Sequence, residues 1–122
     1  MYTNDDKRMP VKIKPYDHQD KAYAFTCDQF GVYTGQIQSP GVALLMEMGT
    51  GKTLVAIGVA GRLYLQGFIK RVLIVAPLSI RGLWQDEFAK HADYPYTMTI
   101  WQVRLKENES SCINSLITDS KL

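Results

Sequence analysis

The chain has 122 residues, 46% of them hydrophobic and 21% charged, the profile of a folded domain with a single core, which excludes a disordered tail. Fourteen basic residues against twelve acidic leave a net charge of +2, too small an excess to argue for nucleic acid by itself. Cys27 and Cys112 lack close partners and metal-ligand spacing and read as reduced, structural thiols, and His18 and His91 neighbour no metal-type cluster. No apolar run reaches spanning length, and residues 1–8 do not open a signal peptide, so the expectation is a cytoplasmic, nucleoid-associated or phage-associated protein with no membrane partner.

The first dozen residues are polar and read as loose, and Pro10 and Pro15 delimit an extended stretch; residues 1–14 are thus expected to form an N-terminal segment outside the domain proper. Asp17 is placed to cap a helix running to about Phe30, with Tyr23, Phe25 and Phe30 packing it against a sheet. Residues 31–41 form a loop, punctuated by three glycines, Ser39 and Pro40. Val42, Ala43, Leu44, Leu45 and Met46 then make the unbroken apolar run of a parallel strand covered on both faces.

A helix is expected from Lys52 to about Gln66, with Gly67 as its stop. It is apolar nearly all round, and Gly58 and Gly61 in its middle imply close packing against the sheet. Residues 72–76 read as a second buried strand closed by Pro77. Ser79 is placed to cap a helix through about His91, with Leu83, Trp84 and Phe88 inward, and residues 97–101 read as a third strand. Beyond Arg104, residues 107–111 are loop-like, and Cys112, Ile113, Leu116 and Ile117 would share one face of a short helix. Strands and helices alternating at these intervals specify an α/β fold with a parallel sheet and flanking helices.

Between the first strand and the second helix stand Met48, Gly49, Thr50, Gly51, Lys52 and Thr53. Glycines let backbone N–H groups turn around an anion, the lysine adds a charge that reaches β- and γ-phosphates, and the threonine hydroxyl is placed to ligate Mg²⁺. The strict motif asks for a glycine where this chain has Met46, so its second half carries the match. Lys12, Lys14, Lys70, Arg71 and Arg81 are scattered cations of the kind that ordinarily coat a solvated surface.

Gln19, the loop from Met48 to Thr53, and the segment at 72–77 followed by Trp84 and Glu87 together resemble the start of a superfamily 2 helicase-type ATPase, with closest similarity to the SWI/SNF-like branch. The resemblance spans about residues 12–102. It implies that residues 15–122 are part of a RecA-like ATP-binding domain, with ATP and Mg²⁺ as cofactors and nucleic acid, in particular double-stranded DNA, as partner. Gln19 would read the adenine edge with Tyr16 lining the same pocket. Met48, Gly49, Thr50, Gly51, Lys52 and Thr53 would hold the phosphates, Lys52 and Thr53 being the catalytic pair, and Pro77, Leu78 and Ser79 would lie near the nucleic-acid track.

Hydrolysis also needs an acidic pair near Mg²⁺ and a charge-neutralising arginine. Asp86 and Glu87 follow no buried strand and read as a solvated helix face. The expectation is therefore an ATP-binding N-terminal fragment of a DNA-dependent ATPase, without the acidic hydrolysis motif and the second RecA-like domain, and inactive alone. Two alternatives keep the loop: another P-loop class, such as a small-molecule kinase or GTPase-like protein, or a non-hydrolysing interaction module.

Overall fold

The computed structural model describes residues 7–47, 49 and 51–101 with their side chains, and 115–119 through their backbone. Helix α1 spans Asp17–Gln29, helix α2 Lys52–Leu65, strand β1 Arg71–Val75, helix α3 Arg81–His91, strand β2 Thr97–Ile100 and strand β3 Ser115–Asp119. A single 3-10 turn, Leu78–Ile80, lies between β1 and α3.

Helix α1 starts one residue earlier in its cap than its sequence implies. Tyr16 is the N-cap residue and Asp17 already sits in the first turn. The side chain that completes this end is Gln19, whose Oε1 accepts the Tyr16 backbone N–H at 2.8 Å, the reaching-back half of a capping box. Helix α2 ends as its glycine requires. Gly67 has φ +78°, its N–H donates to the Tyr64 carbonyl at 2.9 Å, and the Phe68 N–H donates to the Leu63 carbonyl at 2.9 Å, so the last carbonyls are satisfied by a left-handed closing residue. Ser79 forms no cap for α3; it lies inside the 3-10 turn, and Ile80 takes the N-cap position.

The core lies where α1 and α2 meet. Tyr23 and Cys27 from α1, Leu54, Val55, Ile57 and Val59 from α2, and Phe88 from α3 are buried together. The segment at 7–12 joins them instead of remaining loose. Met9 and Val11 are buried with them, Val11 bridges Ala92 in antiparallel fashion, and the Lys12 N–H donates to the His91 carbonyl at 2.9 Å. Two isolated apolar side chains in a polar stretch carry too little pattern to announce this strap, yet burying each is worth about 2 kcal/mol.

The sheet differs from the expected one. Among the described residues it has three strands in the order β1-β3-β2, and β3 pairs antiparallel with both neighbours, Leu73 and Thr99 both lying opposite Ile117. No parallel pairing is present among them, although β1 and β2 point the same way and α3 connects them. Residues 115–117, expected in a short helix, are strand; residues 112–114 lie outside the described residues. The run at 42–46 is extended but joins no strand, and its side chains alternate, Val42, Leu44 and Met46 half-buried and Leu45 97% exposed. Strand β1 alternates likewise, leaving Leu73 and Val75 exposed. Apolar composition implies cover on both faces, but the described residues cover only the face toward the helices.

Gly58 and Gly61 do allow close approach, though not to the sheet. A Cβ at Gly58 would collide with the Met9 side chain, and one at Gly61 with the Tyr94 ring. The Tyr94 hydroxyl donates to the Ile57 carbonyl at 2.8 Å, fixing the ring over that helix face. Leu83, expected inward, is exposed, while Phe88 is buried. Among the described residues no helix is long and apolar enough to cross a membrane.

Candidate functional site

The site is built at the start of α2. Gly51 is its N-cap residue, in the left-handed conformation at φ +83°, a region that costs other residues roughly 1–2 kcal/mol. Glycine brings no capping oxygen, and the first turn of α2 holds no acidic residue. The leading N–H groups of a helix have no intrahelical acceptor, and the helix dipole leaves partial positive charge there. This end of α2 is therefore equipped to accept an anion from outside the chain. Lys52 is exposed beside it and Thr53 half-buried. Gly49 also has positive φ, at +78°, with open space on its Cβ side. Met48 and Thr50 lie outside the described residues.

Gln19 reaches the same place from α1. It is buried, and a Cβ on Gly51 would collide with its Nε2. Its Oε1 is held by the Tyr16 N–H, so the amide nitrogen is the end that faces the loop. Thirty-odd residues apart in sequence, the glutamine and the glycine loop are thus in contact. Tyr16 turns outward, 72% exposed, and stacks on His18 with ring centroids 5.8 Å apart.

Pro77, Leu78 and Ser79 are all exposed at the end of β1 and into the 3-10 turn. Asp86 is exposed, while Glu87 pairs with His91, Oε2 to Nε2 at 3.2 Å. Trp84 packs against Phe88 with centroids 6.3 Å apart. Trp84 and Glu87 are part of the α3 packing and not of the loop. Among the described residues no group of His, Cys, Asp and Glu could hold a metal ion.

Cys27 is a structural thiol: it is wholly buried, and burial pushes its pKa up to about 11. Cys112 lies outside the described residues. Desolvation likewise raises Tyr23 and Tyr94 above the ordinary tyrosine range.

Sequence reasoning missed Arg62. Its Nε donates to the Tyr23 hydroxyl at 3.0 Å and its Nη2 to the Arg8 carbonyl at 2.6 Å, from a position only 6% exposed. A lone guanidinium in an otherwise apolar helix was the available signal, since such a group is buried only with hydrogen-bond partners.

A model of the family described as type III restriction enzyme, res subunit, matches residues 12–121. No curated protein and no solved structure matches the chain.

Proposed function

The chain belongs to the family of the type III restriction enzyme res subunit, and with it to the superfamily 2 helicase-type ATPases, and from that premise we propose that it is the ATP-binding N-terminal part of a DNA-dependent ATPase. The observation that carries this reading is the contact of Gln19 with Gly51 at the uncapped start of α2.

In this reading Gly49, Gly51 and the α2 amides cradle the phosphates, together with Met48 and Thr50, and Lys52 neutralises the β- and γ-phosphate charge. The Thr53 hydroxyl is the chain's own ligand for the Mg²⁺ that accompanies the nucleotide; the metal supplies charge neutralisation at the phosphates. Gln19 positions the loop and offers an amide donor to an adenine acceptor, with Tyr16 swinging over the base. Residues 15–122 belong to part of a RecA-like ATP-binding domain that lacks the acidic hydrolysis motif. Its sheet is completed in parallel fashion, a reading supported by Val42, Leu44 and Val72 lining the same apolar groove of 270 Å³ as Ala56 and Val59 of α2. The SWI/SNF-like branch is the finer assignment, and Pro77, Leu78 and Ser79 face the DNA. Turnover belongs to the intact ATPase, with acidic groups and an arginine supplied from elsewhere in it.

Titration calorimetry of the chain with ATP and GTP, with and without Mg²⁺, tests the reading. ATP is expected to bind more tightly than GTP, Lys52→Ala to weaken it at least tenfold, and Gln19→Ala to erase the preference for adenine. Equal binding of both nucleotides by the wild type, or an affinity indifferent to Lys52→Ala, overturns it.

A further inference from the structure

A second basic site lies away from the loop. The segment at 7–15 and one face of α1 enclose an open cavity of 640 Å³, within the size range of small-molecule sites. Lys7, Arg8, Lys12 and Lys14 line it against one carboxylate, Asp20. Among the described residues, four cations against one anion give that wall a net charge of +3, more than the +2 of the entire chain. All four cations are exposed, and none forms an ion pair with another described residue. Lys12 Nζ approaches the Ala89 carbonyl at 3.4 Å, a long contact that leaves its other hydrogens to solvent.

The backbone between Arg8 and Lys12 is fixed. Arg62 and Tyr23 both donate to the Arg8 carbonyl, at 2.6 and 3.3 Å. The burial of Met9 and Val11 and the Lys12 N–H bond to His91 hold the next residues. Anchoring the main chain removes part of the ordering cost that four loose basic side chains would otherwise incur on binding. Ile13, Pro15 and Ala24 add apolar wall between the charges.

We infer that this cavity binds phosphate groups, taken either from a nucleic-acid backbone or from a free polyphosphate. The site is separate from the glycine loop, since among the described residues neither Gln19 nor Gly49, Gly51, Lys52 or Thr53 lines it, and it does not depend on nucleotide binding there.

The test measures binding of a labelled single-stranded oligonucleotide at several salt concentrations, and of inorganic tripolyphosphate in a Lys52→Ala background that silences the loop. The probe variant is Lys12→Glu/Lys14→Glu. The control is Lys21→Glu/Lys90→Glu, which changes charge equally at exposed positions outside the cavity lining. With a nucleic-acid source, the probe variant lowers oligonucleotide affinity at least tenfold at low salt, and its log–log salt slope shrinks by about 1.4, roughly 0.7 for each phosphate that is no longer neutralised. With a free polyphosphate source, oligonucleotide binding is unchanged and tripolyphosphate binding falls tenfold or more. Affinities for both ligands that match the control overturn the inference. Lys12→Gln/Lys14→Gln, with melting curves for every variant, separates impaired binding from impaired folding. Lys52→Ala alone leaves oligonucleotide binding intact, so failure of the nucleotide reading is seen independently.

Discussion

The amide nitrogen of Gln19 occupies the space that a Cβ on Gly51 would need. Two constraints therefore meet at one residue: a positive φ of +83° that disfavours any side chain, and a neighbour that leaves no room for one. The glutamine is in turn pinned by the Tyr16 N–H. The start of α1 and the start of α2 are thereby locked to each other, and the geometry of the loop depends on a side chain some thirty residues upstream.

Gly51→Ala is expected to cost about 3 kcal/mol, combining left-handed strain of about 1–2 kcal/mol with overpacking of similar size. Gln19→Ala removes the obstacle, so the double variant recovers the steric part and retains the strain. Urea denaturation of the four proteins in the cycle measures this, with a coupling of at least about 1 kcal/mol expected. Additive losses would mean that the two side chains do not meet.

The strap at 7–12 rests on Arg62. Arg62→Met keeps the apolar stem and deletes the charged hydrogen bonds to Tyr23 and Arg8, and a loss of about 2–3 kcal/mol is expected. Trypsin reports the local consequence: cleavage after Arg8 and Lys12 should accelerate in the variant more than the global stability loss explains. Equal protection in both proteins would place the anchor elsewhere.

How far the sequence foretells this architecture depends on how local each determinant is. Helix α2 is legible at both ends, because Gly67 closes it through main-chain bonds within six residues. The α1 cap falls one residue away from its expected place because the capping group comes from Gln19, inside the helix, and not from Asp17. The stretch at 42–46 has the composition of a buried strand, but strand pairing is decided by partners distant in sequence, and composition does not name them. Leu45 in solvent and Leu83 outward are the same lesson. At the candidate site, the loop residues announce themselves by type and spacing; the contact between Gln19 and Gly51 needs coordinates, and so does the gathering of Lys12 and Lys14 with Lys7 and Arg8 around one cavity.

Gly61 offers a reversal of sign. Alanine normally stabilises a helix interior by about 1 kcal/mol over glycine, but here its methyl group meets the Tyr94 ring, whose hydroxyl is tied to the Ile57 carbonyl. Gly61→Ala is expected to destabilise by about 1–2 kcal/mol. In a Tyr94→Ala background the same change becomes stabilising. Thermal melting of the two pairs checks it, and a stabilising Gly61→Ala in the wild type would remove Tyr94 from that face.

Alkaline pH should weaken the fold in steps. Cys27 titrates near pH 9.0 when unburied and near 11 in the folded chain, because burial penalises its thiolate. A raised folded pKa means that the unfolded chain loses its proton first. The stabilisation is complete below about pH 9 and is lost as pH rises through 11, a decrease of roughly 3 kcal/mol at about 1.4 kcal/mol per unit. Tyr23 and Tyr94, also raised by desolvation, extend the decline above pH 10. Urea midpoints measured from pH 8 to 11 should therefore fall from pH 9 onward. Cys27→Ala, though less stable overall, should show a flat profile between pH 9 and 10, and Tyr94→Phe should make only the part above 10 less steep. A wild-type midpoint that holds constant to pH 11 would mean that Cys27 and Tyr94 are open to water, and with them the α1 and α2 interface that buries the thiol.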